Sequence, residues 1–130
     1  MGRAATLALL AALATAGCGQ ATTPVDRVVD SFERSLAAHD GSGACRVLTA
    51  PGREALAKQE HEPCERAVLK VGLSPQTRRA GTGVYLSSGF VHTGSNGAVF
   101  LDHTREGWRV SAAGCTPTGD RLPYDCILED

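Results

Sequence analysis

Aromatic side chains are scarce: one Trp, two Tyr and three Phe in 130 residues. A core built from this chain must rest on aliphatic side chains, because aromatics normally bury the largest areas. Positive charge is not in excess either. Thirteen Lys and Arg stand against 14 Asp and Glu, and no basic patch stands out, which argues against nucleic acid as a partner. The longest uncharged apolar run, Ala4 to Ala16, is 13 residues, short of the roughly 20 needed to span a bilayer as a helix. The nucleophile elbow, the phosphate loop and the zinc-protease motif are all missing. No internal repeat or long low-complexity stretch is present.

What is present begins at the first residue. Met1-Gly2-Arg3 is a short positive region, and AATLALLAALATA follows it as the apolar core of an export signal. Ala14-Thr15-Ala16 fits ordinary signal cleavage. Thr15-Ala16-Gly17-Cys18 also resembles the lipobox of small bacterial lipoproteins, with Thr15 where leucine is commonest. The resemblance implies that Cys18 becomes the first mature residue and carries a thioether-linked diacylglycerol. Parity agrees. The chain has five cysteines, and a lipidated Cys18 leaves four, an even number for an oxidising compartment. Residues 1–17 are therefore the signal, 18–23 the lipidated cysteine and its polar tether, and 24–130 one domain. The expected location is the extracytoplasmic face of a cell membrane. Loss of Arg3 leaves the mature chain with a net charge of −2.

Thr23-Pro24-Val25-Asp26 reads as a helix start with Thr23 as cap. Val25, Val28, Val29, Phe32 and Leu36 then form one apolar stripe, and Asp40-Gly41-Ser42-Gly43 reads as its end. Short helices are expected over Ala44–Leu48, Pro51–Glu60 and Pro63–Val71, with a connector over Ser74–Thr82. From Val84 the period changes to two. Asn96-Gly97 and Glu106-Gly107 read as two-residue hairpin turns. This register pairs His92 with Leu101, Phe90 with His103, His103 with Val110 and Leu101 with Ala112. It gathers Leu86, Phe90, Val99, Leu101, Trp108, Val110 and Ala112 on one face. A last strand is expected over Tyr124–Leu128. On this register Trp108 meets the helix stripe, and Trp108→Ala costs roughly 3–5 kcal/mol.

Helices followed by an antiparallel meander give an α+β fold, with N-terminal helices packed on a curved sheet. This order, with Gly107-Trp108-Arg109-Val110, Gly114-Cys115-Thr116-Pro117 and Tyr124-Asp125-Cys126 near its end, resembles the nuclear-transport-factor-two-like cone fold. A cystatin-like fold is the runner-up, and the extra helices between Ala44 and Val71 weigh against it. Of three possible connectivities for Cys45, Cys64, Cys115 and Cys126, the local one, Cys45–Cys64 and Cys115–Cys126, keeps each bridge within its own half. Metal is the rival, through His61 and Cys64, but no CxxC is present and a zinc site needs four convergent ligands. No metal and no cofactor are expected.

The candidate pocket is Ser88, His92 and His103, which the register places on the concave face. The resemblance implies a pocket there, where enzymes of that superfamily place acid–base groups. Asp102, the carboxylate a histidine base would want, falls on the opposite face. Two functions follow. The first is a membrane-anchored, non-enzymatic binding or interaction module of the cell envelope. Its partners are the bilayer, through Cys18, and an envelope protein or small ligand. The second is a small-ligand carrier or pocket enzyme using His92 and His103.

Overall fold

Proline in the first turn and Asp26 just after it start α1 where the apolar stripe begins. In the computed structural model, which describes residues 21–94, 97–120 and 123–130, α1 spans Thr23–Ala37. Thr22, not Thr23, is the cap, and it makes no side-chain cap bond. Val25, Val29, Phe32 and Leu36 are buried, and Val28 packs at the edge of the same core. Residues 1–20, with the export signal and Cys18, and Asn96 lie outside the described residues.

Three shorter helices follow: α2 over Gly41–Arg46, α3 over Ala50–Glu60 and α4 over Cys64–Ala67. The glycine-rich stretch expected to end α1 instead begins α2. Asp40 caps it, its carboxylate accepting from the Gly43 N–H at 2.9 Å. A cap of this kind offsets part of the poor helix propensity of glycine over a single turn. Thr49 caps α3 in the same way, accepting from the Gly52 N–H at 3.1 Å. The last helix stops at Ala67, short of Val71, because the chain tightens there: Ala67 O accepts from both the Lys70 and Val71 N–H groups.

Among the described residues the sheet has six strands, all paired antiparallel. They are β1 Arg79–Tyr85, β2 Ser88–Thr93, β3 Gly97–Thr104, β4 Gly107–Pro117, β5 Tyr124–Asp125 and β6 Leu128–Glu129. Their order is β1-β2-β3-β4-β5, with β6 also on β4. The fold is α+β, with the helices packed on one face of the curved sheet.

The register differs from the expected one in three places. The expected connector holds most of β1, and the run from Val84 to His92 is two strands joined by a turn at Leu86 and Ser87. That turn has no glycine, asparagine or aspartate, so turn chemistry does not mark it. Second, β2 and β3 pair Phe90 with Phe100 and His92 with Ala98. The expected alignment is off by three residues, an odd number, so Phe90 and His92 move to the other face. Third, the β3–β4 turn is Arg105-Glu106, pairing Leu101 with Val110 and His103 with Trp108. That shift is even and keeps the face. Irregularities farther along β4 then turn Ala112 outward, opposite Phe100.

Two faces result. The inner face, carrying Val91, Val99, Leu101, Val110, Ala113 and Leu128, meets α1 and encloses the main core. On the outer face a smaller cluster of Ala98, Ala112 and Cys115 is covered by Phe100, Tyr124 and Cys126. Trp108 is only partly buried. It packs near Val25 above Gly89 and edge-on to His103. The cost of Trp108→Ala therefore falls at or below the lower end of the range for a fully buried ring.

Both bridges are local, Cys45–Cys64 and Cys115–Cys126. The first joins α2 to α4 and the second joins β4 to the segment between β5 and β6. Loops of 19 and 11 residues correspond to roughly 3 kcal/mol each on the chain-entropy model. Cys64 is thus a bridge half-cystine, and the His61–Cys64 pair offers no thiolate to a metal.

Candidate functional site

β2 and β3 carry the three residues read as a pocket, and period-two alternation separates them. Ser88 and His92 point to the outer face. Ser88 is exposed, with Oγ 3.5 Å from Asp102 Oδ1. His92 is half-buried and edge-on to Phe90 at 5.1 Å between ring centres. His103 is exposed on the inner side, edge-on to Trp108 at 5.0 Å. His103 and Ala98, the partner of His92, are five residues apart on β3, about 16 Å along the strand. The fold does not bring the two imidazoles together. Asp102 faces Ser88, not either ring.

The register shift creates a different grouping on the outer face. Tyr85, Phe90, Phe100 and Tyr124, four of the six aromatic residues in the chain, lie there. Phe90 lies across the neighbouring strand: a Cβ added at Gly83 would come within 2.3 Å of its ring. Phe100 and Tyr124 meet edge-on at 5.1 Å. Sequence patterning missed this face because the one-strand reading of residues 84–92 sent Phe90 inward. Beside it, among the described residues β1 is the edge of the sheet and pairs only with β2, an edge of the kind that can accept further pairing.

A cavity of about 320 Å³ opens on the inner side, between the C-terminal half of α1 and the far end of the sheet. Phe32, Leu36, Leu73, Val99 and Ile127 contribute its apolar wall. Glu33 also borders it, 9 % exposed, with Oε2 accepting from the Gln76 N–H at 2.6 Å. Burial pushes the Glu33 carboxyl above the usual carboxylate range, against the opposing pull of the Gln76 N–H and Arg79. Arg79 and Thr82 bind Asp26, at 3.0 and 2.6 Å, and Arg79 also pairs with Asp30. Arg79 thereby clamps β1 to α1. One signal in the sequence pointed to Glu33: its position on the flank of the apolar stripe, between Phe32 and Leu36.

Ionising Glu33 works against the fold. Its contribution to stability is complete below pH 4.5, the ordinary value for a glutamate, and is lost as pH rises through the raised folded value. Glu62 has the opposite sign. The Lys70 hydrogen bond lowers its pKa, so its contribution is present above pH 4.5 and lost below. The two windows do not overlap. Glu33→Gln keeps an acceptor for Gln76 and removes the titration. The unfolding midpoint of the wild type should decline relative to that of Glu33→Gln as pH rises from 4.5 toward neutrality. Thermal melts of both proteins across this range check it, and a difference that does not vary with pH would remove burial of Glu33 as the cause.

Against this geometry, no family model, no curated protein and no solved structure matches the chain.

Proposed function

We propose that the protein is a non-enzymatic binding module, held at the extracytoplasmic face of a cell membrane by lipid on Cys18, that receives an envelope protein on the outer face of its sheet. The observation that carries the reading is the concentration of aromatic side chains on that face. Aromatic residues are enriched at protein interfaces, and a chain this poor in them spends four of six outside its main core. The beginning of the reading, the anchor, is supported by cysteine pairing. Four of five cysteines are joined in two bridges, which leaves Cys18 for lipid. The helices-first order and the helix-on-sheet packing are consistent with the nuclear-transport-factor-two-like resemblance.

Two measurements test it. Cys18→Ser should release the protein from the membrane fraction and abolish acyl labelling. A photocrosslinking residue at Phe90 should yield a discrete crosslinked species in native membranes, and the same residue at Lys58, exposed on α3, should not. Crosslinks at 58 with none at 90 would overturn the assignment of the face. His103→Gln should leave the crosslink intact, whereas His92 now belongs to the contact surface.

The small-ligand reading keeps support only at the Glu33 cavity, since His92 and His103 lie on opposite faces. A ligand there would be small, largely apolar, and equipped with a donor for the buried carboxyl.

A further inference from the structure

We propose that the β1–β2 turn is a membrane contact: Tyr85 and Leu86 rest in the interfacial layer of the bilayer and set how the domain stands on it. This inference depends on the lipid anchor at Cys18 proposed above.

The turn is costly in two ways. Leu86 is 72 % exposed and Tyr85 75 % exposed, in a chain that buries most of its large apolar side chains. Leu86 also has a φ of 53°, in the left-handed region that Gly, Asn and Asp adopt at much lower cost. A branched apolar residue that is both strained and exposed does nothing for the folded domain alone, and strain of this kind points to function.

The fold puts this turn beside the anchor. Contacts run in order along α1 and β1: Glu33 holds Gln76, Asp30 pairs with Arg79, Asp26 binds Thr82, and Val25 sits over Gly89. The start of α1 and the β1–β2 turn are therefore at the same end of the molecule. From Thr82 to Tyr85, the end of β1, the strand advances about 10 Å, while the helix from Asp26 back to Thr22 covers about 6 Å. The turn therefore projects beyond the start of the helix. The four residue steps from Cys18 to Thr22 span at most about 14 Å, whatever their conformation. A lipid on Cys18 keeps the start of α1 within about 14 Å of the bilayer, close enough for the projecting turn to reach it.

The chemistry suits that surface. Tyrosine is among the residues enriched at the membrane–water interface, and leucine prefers the apolar layer just below. Arg27 near the start of α1 and Arg105 in the β3–β4 turn lie at the same end. Among the described residues neither joins an ion pair, so both are available to anionic headgroups. The outer aromatic face then looks sideways along the membrane, where a protein partner can approach it.

The test uses the full lipidated chain in vesicles of phosphatidylcholine and phosphatidylglycerol whose acyl chains are brominated near the carbonyl end. Leu86→Trp places a fluorophore at the turn. Asp125→Trp places one on β5, at the opposite end of β4 from the Arg105-Glu106 turn. Interfacial side chains sit about 5–10 Å into the headgroup boundary, so emission from Leu86→Trp should fall at least roughly twofold relative to unbrominated vesicles. After subtraction of the native Trp108 signal given by the wild type, emission from Asp125→Trp should not change, and the same subtraction applies to Leu86→Trp. In a second measurement without substitution at the turn, hydrogen exchange at residues 85–88 should be slower in the vesicle-bound wild type than in soluble Cys18→Ser. Equal quenching at the two positions, with exchange unchanged and acyl label present, would overturn the contact and leave the anchor standing. Absence of acyl label on the wild type would remove both.

Discussion

Phe32→Ala is expected to cost about 4–5 kcal/mol, near the top of the range for a buried phenylalanine. Phe32 is 1 % exposed and is the largest fully buried side chain described. The other two phenylalanines, Phe90 and Phe100, sit on the outer face, so no second phenylalanine shares this core. Phe32 also borders the 320 Å³ cavity. Its removal enlarges an existing void instead of creating an isolated one, and a void bordered by Glu33 is open to water. Collapse cannot recover much of the loss. Against a total stability of about 5–15 kcal/mol for a domain of this kind, the variant should unfold at far lower urea than the wild type. A shift equivalent to less than about 2 kcal/mol would mean that Phe32 is not at the centre of the core.

Gly41→Ala should be destabilising by about 3 kcal/mol or more, beyond the usual cost of overpacking. Here two effects of opposite sign can be compared. Alanine is favoured over glycine in a helix by about 1 kcal/mol, so propensity alone predicts a gain. Packing predicts a loss. A Cβ at Gly41 would sit 1.8 Å from the Glu65 carbonyl oxygen and 2.7 Å from its carbon. Those are backbone atoms of the neighbouring α4, which cannot rotate away as a side chain would. The Cys45–Cys64 bridge joins the same two helices, so they cannot separate to relieve the clash. The clash is the larger effect. Gly81→Ala, where nothing lies within 4 Å, is the matched control and should change stability little. Thermal melts of the oxidised proteins decide it, and an unchanged or raised midpoint for Gly41→Ala would mean that α2 and α4 do not approach as described.

The fold class was legible because it rests on periodicity. The 3.6-residue stripe from Val25 to Leu36 and the change to period two after Val84 both survive as α1 and the meander. The disulfide pairing was legible because each pair lies close along the chain and within one half. The β3–β4 face was legible because moving the turn by one residue, from Glu106-Gly107 to Arg105-Glu106, shifts the pairing by two, an even number that leaves inward and outward unchanged. The β1–β2 turn was not legible. Tyr85-Leu86-Ser87-Ser88 carries no Gly, Asn, Asp or Pro, the stronger marks of a tight turn, and an uninterrupted alternation reads as one strand.

The amino-acid sequence by itself determined that helices precede an antiparallel meander, the stripe that buries α1, the local cysteine pairs and the expectation of an exported chain anchored at Cys18. Each depends on spacing over a few residues, which the chain carries wherever it folds. Tertiary structure alone decided which face Phe90 and His92 occupy, that His92 and His103 are kept apart, that Glu33 borders a cavity, and that Leu86 stands out beside the start of α1. Strand register governs the first two, because side chains alternate and a slip of three residues reverses them. The packing of α1 against β1 governs the others, because it joins residues some 40 to 60 positions apart through contacts that no local pattern encodes.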